Sequence, residues 1–258
     1  MANIVAIKKE QHEKLKLANK RNLKQVSGQH IIPVTAAEFA QSASSFPVVL
    51  VKDPESERYR CVAMLGLESG ENLFYKEDKW LGLYIPQSIG MAPFMLGVDP
   101  DKEKTLTVCV DLDSEFIGDD KELALFDEQG EESEVLKNVQ QSLGRIYENE
   151  RMTDQFIKEL ADNDLLQELE LKINSISGEN KKLVGIFTVN EKKVAQLADD
   201  KVLDFHKRGL FVPIYAMLGS LSQMNRLIQL RNESSDDKIS GIQITPTGVE
   251  ESTVEEKK

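Results

Sequence analysis

The hydrophobic period of this chain changes at Ser133, and that change limits the folds open to it. Beyond it Val135, Leu136, Val139, Leu143, Ile146 and Tyr147 recur at helical spacing, and Met152, Phe156, Ile157 and Leu160 continue the stripe. The spacing predicts one long helix, or two broken near Glu148, ending about Asn163. Before Ser133 the apolar runs are short and turn residues separate them. Thr35-Ala-Ala-Glu38 fits a capping box, in which each end satisfies an orphan amide of the other, so a short helix to about Ser42 is expected. Residues 46–51 read as a buried strand with Pro47 at its first position, 53–57 as a turn and 59–67 as the return strand. Ser69-Gly70-Glu71-Asn72 reads as a tight turn, with Asn72 in left-handed geometry and Glu71 solvated. With 96–98 and 105–112 as further strands, the N-terminal half is expected to form a mostly antiparallel sheet of about five or six strands. Residues 113–130 are acidic and loop-like.

After the long helix, 165–176 and 183–189 suggest a hairpin around a turn at 177–180. Asn190 can cap a short helix through Leu197. Residues 210–230 read as a helix starting near Pro213 and apolar over nearly its whole circumference. Such a helix is buried, either within the domain or at a seam between two copies. The expected fold class is α+β: an antiparallel-rich N-terminal sheet followed by a helix-rich C-terminal half. Three segments follow from composition: a polar, extended lead-in at 1–28 with some strand character near 4–7, one compact domain at 29–231, and an acidic tail at 232–258. The tail is read as disordered, with at most a brief strand at 242–245.

The net charge of −12 argues against nucleic acid, whose phosphates demand a basic face, and against anionic lipid. No run reaches the roughly 20 apolar residues of a membrane span. Lysines interrupt the N-terminal apolar residues before a signal-peptide core can form, so a soluble cytoplasmic protein is expected. Cys61 and Cys109 lie in apolar runs and read as small buried hydrophobes, with a disulfide between them left open.

The most distinctive text is residues 64–86, which hold the single tryptophan. Tyr75, Trp80 and Tyr84 are candidates to line a pocket for a flat or peptidic ligand, because aromatics combine large contact area with a polar tip. The alternative for the same rings is a core cluster on a sheet face. Asp111, Asp113, Glu115, Asp119 and Asp120 are oxygen-rich, but counted as a calcium loop from Asp111 the required glycine is Phe116, so a solvated acidic loop is expected. Ser220 lacks a nucleophile-elbow pattern, and nothing in the sequence pairs His206 with a nucleophile. No catalytic, cofactor-binding or metal-ligating residue is assigned, and the reading leans away from an enzyme.

A family resemblance rests on ordered motifs between about Gln29 and Leu230. They are IPVTAAEF at 32–39, FPVVLV at 46–51, LGLESGENLFY at 65–75, Trp80 followed by YIP at 84–86, CVDLDS at 109–114, LFDEQGEES at 125–133 and GLFVPIYAMLGSLSQMNRL at 209–227. The chain resembles the SapC family, named after a gene associated with bacterial surface layers. Relatives often carry histidine where Met217 stands, so no chemistry is placed there. The resemblance implies a soluble protein of poorly defined activity. Its relatives are often encoded near flavin-dependent halogenase-like proteins, cupin-like oxygenases and outer-membrane receptors, which implies a partner role. A peptide-uptake permease bears the same name, but a permease needs several spans.

Three functions are therefore carried forward. The first is a non-enzymatic accessory protein that binds an unidentified protein or peptide, with a homodimer left open. The second is a small-molecule or peptide binder, or an enzyme, with a pocket near Trp80 and Tyr84. The third is a structural component of a surface layer.

Overall fold

A computed structural model describes residues 3–20, 22–99, 105–178 and 180–247. The chain begins with β1 (Ile4–Ala6), α1 (Lys9–His12), β2 (Lys16–Leu17) and β3 (Ile31–Pro33). A 3-10 turn at Ala36–Glu38 runs into α2 (Phe39–Ser42), and the Thr35–Glu38 capping box is present as the spacing predicts. Next come β4 (Val48–Lys52), β5 (Tyr59–Met64), the small hairpin β6 (Tyr75–Lys76) and β7 (Lys79–Trp80), and α3 (Gln87–Gly90). Strands β8 (Phe94–Val98), β9 (Leu106–Asp111), β10 (Ile117–Gly118) and β11 (Leu123–Ala124) lead to α4 (Glu134–Asp162). The C-terminal part holds β12 (Leu166–Ser175), β13 (Asn180–Val189), α5 (Glu191–Val194), α6 (Asp199–Lys207), α7 (Phe211–Ser220), α8 (Met224–Ser234) and β14 (Ile239–Pro246).

The architecture is α+β with antiparallel sheets and a helix-rich C-terminal half. The N-terminal strands, however, do not make one sheet. β8 and β9 pair with β1 in a three-stranded sheet, while β3, β4 and β5 join the C-terminal strands in the order β14-β12-β13-β4-β5-β3. Alternating apolar residues report which face of a strand is buried, not which strand lies beside it. Within the expected lead-in, Ile4–Ala6 pairs with β9 and Lys16–Leu17 pairs with β10 and β11. Within the expected tail, Ile239–Pro246 is a full edge strand on β12, longer than the brief strand read from the sequence. Residues 248–258 lie outside the described residues.

Two apolar clusters form the interior. One is centred on the six-stranded sheet and includes Phe39, Phe46, Phe74, Phe205 and Ile214; the other surrounds β8 and β9 with Val110, Leu125 and Phe126. α4 is a single helix and serves both. Its first turns bury Leu136 and Leu143 in the second cluster, and its last turns bury Phe156, Ile157 and Leu160 in the first. Twenty-nine residues at 1.5 Å each give it about 43 Å, enough to span both cores. Ser133 caps it by accepting from the Leu136 amide, and Asn190 caps α5 by accepting from the Lys193 amide.

The last apolar stretch is two helices. α7 starts at Phe211, with Pro213 inside the first turn, and a 3-10 turn at Leu221–Gln223 leads into α8. Ser220 lies at this junction and is fully buried. It accepts from the Val48 amide at 2.8 Å and donates to the Met217 carbonyl at 2.6 Å, which ties α7 to the start of β4.

Candidate functional site

The three aromatic candidates make separate contacts. Trp80 packs tilted against the core rings, with Phe46 at 5.8 Å and Phe74 at 6.2 Å between ring centroids, and its indole N–H donates to the Tyr84 carbonyl at 2.8 Å. Tyr75 donates to Asp78 Oδ1 across the β6–β7 turn at 2.7 Å. Tyr84 turns the other way, and its hydroxyl donates to Glu38 Oε2 at 2.7 Å.

Glu38 is the hub of this region. Its carboxylate is 2% exposed and accepts four hydrogen bonds. Oε1 takes the Thr35 amide at 2.9 Å and hydroxyl at 3.1 Å; Oε2 takes Tyr84 and, at 3.0 Å, the Gln87 amide. Four donors satisfy a buried carboxylate that would otherwise be costly. Burial, and then the bond to Glu38, push the Tyr84 hydroxyl well above the ordinary tyrosine range.

Behind Glu38 a cavity of about 300 Å³ opens between β5 and α4. Glu38, Arg60, Cys61, Glu150, Thr153 and Asp154 supply its polar lining, and Val34, Ile146 and Ile157 its apolar wall. Burial, and then the neighbouring Asp154, raise the Glu150 carboxyl. The same two causes raise the Cys61 thiol, so it stays protonated and is a poor nucleophile. Cys109 is also raised by burial, and both cysteines are free thiols, which settles the disulfide left open by the sequence. Ser220 is committed to the α7–β4 contact, and His206 sits exposed in the last turn of α6.

The turn at residues 69–72 departs from its sequence reading. The left-handed residue is Gly70, at φ +84°. Glu71 is not solvated: it accepts from the Leu67 amide at 2.8 Å and pairs with Arg231 of α8. Asn72 is buried, accepts from the Phe74 amide and donates to the Val26 carbonyl at 2.7 Å. Both residues lock the turn against distant elements. Asp111 has a similar local task, accepting from the amides of Asn3 and Asp113.

The surface feature the sequence reading missed is on α7 and α8. Between Phe211 and Asn232 the exposed positions are Val212, Tyr215, Gly219, Ser222, Asn225 and Gln229. They recur every three or four residues, so they share one face. None of the six is charged, in a chain with 29% charged residues; half-buried Arg226 borders them, and exposed Glu233, bonded by Gln229 at 2.9 Å, ends the uncharged run. Val212 is 67% and Tyr215 54% exposed. A ladder of rings leads to this face from the core, with Phe205 and Phe211 6.0 Å apart and Phe211 stacked on Tyr215 at 6.1 Å. Val202 and Leu203 of α6 are exposed as well.

These features define an α+β protein with a packed aromatic centre, a hydrogen-bonded carboxylate hub and an uncharged helical face. Among the described residues no helix is long and apolar enough to cross a membrane. A family model described as SapC matches residues 7–227, and the chain belongs to the SapC family. Neither a curated protein nor a solved structure matches the chain.

Proposed function

We propose that this chain is a non-enzymatic accessory protein that acts by binding another protein through the outward face of α7 and the start of α8. The observation that carries this reading is the absence of charge from six consecutive exposed positions of that face. An exposed helix ordinarily turns charged residues to water. Here a β-branched residue and a tyrosine lead the face, small residues occupy its middle at Gly219 and Ser222, and amides close it. Small residues let a partner backbone come close, while Val212 and Tyr215 offer apolar area with one polar tip. Charge disfavours a second copy as the partner, since two bodies of −12 repel. The reading places the protein in the cytoplasm, where the partner would be met.

The test joins sedimentation of the purified chain with affinity purification of a tagged chain from its native cells. A monomer alone, and a reproducible partner lost on Val212→Asp, are expected. A dimer, no reproducible partner, or a partner retained by a V212D chain that melts like the wild type would each contradict the reading.

The cavity behind Glu38 favours a second reading, a small-molecule binder. Tyr84 reaches the cavity wall only through its bond to Glu38, which supports seeking the pocket there rather than at the Trp80 ring. A rise in melting temperature with a metabolite that is lost in Asp154→Asn would support it.

A further inference from the structure

The β12–β13 hairpin carries a bulge. Leu169 faces Ile186 and Leu171 faces Leu183, so Glu170 alone opposes Val184 and Gly185. Gly185 has φ +75°, a conformation that side chains rarely adopt. The bulge bends the strand where it leaves its neighbour, because β13 pairs with β4 only at Ile186 and Phe187. Continued in register, Lys181 would lie against the turn at 53–58. Instead its ammonium is 2.8 Å from Glu68 Oε1, past the opposite end of β5. The distal half of the hairpin therefore crosses over the strands instead of extending beside β4.

Two consequences follow. Among the described residues, the main-chain groups of 181–184 that point away from β12 have no hydrogen-bond partner. A cleft of about 760 Å³ also opens between this free edge and the strands below, walled by Ile31, Val49, Val51, Met64, Leu183 and Ile186. Lys52, Lys181 and Lys182 stand at the cleft against one carboxylate, Glu68, which takes Lys181. Lys182 holds Glu170 at 3.1 Å, while Lys52 reaches only the highly exposed Glu57 at 3.8 Å. The lining itself thus carries more lysine than carboxylate, and the partners of Lys52 and Lys182 stand outside it.

We propose that the cleft is a strand-addition site for an extended peptide with acidic flanks. Its backbone pairs with the open edge of residues 181–184, alternate side chains enter the cleft over the half-buried Ile31, Val51 and Leu183, and its carboxylates meet Lys52 and Lys182. An unpaired strand edge supplies affinity through main-chain bonds, and the apolar wall selects alternate side chains. The proposal goes beyond the helix-face reading and stands independently of it, since the two surfaces share no residue.

The experiment uses the full chain and a fluorescein-labelled decapeptide in which valine alternates with threonine between pairs of glutamates. Two further versions carry N-methyl groups on alternate residues, one in each frame. Saturable anisotropy is expected for the parent peptide. One methylated frame should bind like the parent and the other about tenfold more weakly, since it forfeits one or two main-chain bonds. The K52Q/K182Q double variant, both positions exposed, should bind severalfold more weakly with unchanged melting. No saturation, equal binding of both methylated frames, or indifference to the lysine variant would overturn the proposal. Tighter binding by a peptide copying residues 248–258 would give the cleft to this chain's own terminus, and dimerisation blocked by the decapeptide would give it to a second copy; either overturns an external peptide.

Discussion

Glu38 gathers hydrogen bonds from Thr35, Tyr84 and Gln87, and its environment can be tested by single substitutions. Glu38→Gln replaces acceptors by an amide whose N–H groups meet other donors. A loss of about 3 kcal/mol in urea unfolding is expected, near the upper range for hydrogen bonds to a charged group. Tyr84→Phe should cost about 1 kcal/mol. Tyr84 also has a pH signature. Its hydroxyl is raised in the folded chain by burial and by Glu38, whereas the unfolded chain titrates near pH 10. The stabilisation is complete below that pH and is lost as pH rises toward the folded value. Stability of the wild type should therefore fall above about pH 10, and the fall should be shallower in Y84F; equal slopes would mean that the hydroxyl is not held. Half of this hub was legible in the sequence. Thr35 and Glu38 are three residues apart, so their capping box is a local pattern. The Tyr84 bond spans 46 residues, and no spacing rule reaches that far. For the same reason Glu71 read as solvated, because its Arg231 partner is 160 residues away.

Among the elements, the ion-paired turn and the bulge carry the sharpest expectations. Arg231 is 10% exposed in its side chain and serves Glu71, Glu68 at 3.1 Å and Asp237 at 3.6 Å. Arg231→Met strands the Glu71 carboxylate, 18% exposed, and should cost about 3–5 kcal/mol in chemical denaturation. In a double-mutant cycle with Glu71→Ala, strong coupling is expected; additivity would contradict the pairing. Gly185→Ala meets no atom within 4 Å, so only backbone strain is at stake. A loss of about 1–2 kcal/mol is expected, and a neutral result would show that the bulge can relax. Helix α4 and the β12–β13 hairpin were readable because their apolar residues repeat with one period over many residues. The bulge was not, since Val184-Gly185 reads as one more apolar step of a strand. The break between α7 and α8 was hidden likewise, because a 3-10 turn keeps the apolar spacing almost intact.

At the scale of the molecule, α4 joins two apolar clusters, and the C-terminal strands close a sheet begun by N-terminal ones. That closure explains why α+β was legible while the partition into lead-in, domain and tail was drawn too sharply: Ile4–Ala6 and Ile239–Pro246 both enter sheets. The apolar letters of 4–7 and 242–245 do hint at strands, but their pairing partners, Asp111 to Cys109 and residues 169–175, lie too far along the chain for composition to name. The uncharged helix face is equally invisible to a hydropathy count, which sees an apolar helix and assigns it to the core. Only burial separates Ile214 and Met217, fully inside, from Val212 and Tyr215, outside. The claim that this face holds a partner is tested most directly by placing a photo-crosslinking amino acid at Val212 and, as a control, at Gln141 on the exposed surface of α4. After irradiation in native cells, a discrete adduct from Val212 and none from Gln141 is the expected result. An adduct from Gln141 alone, or none from either position, would contradict it.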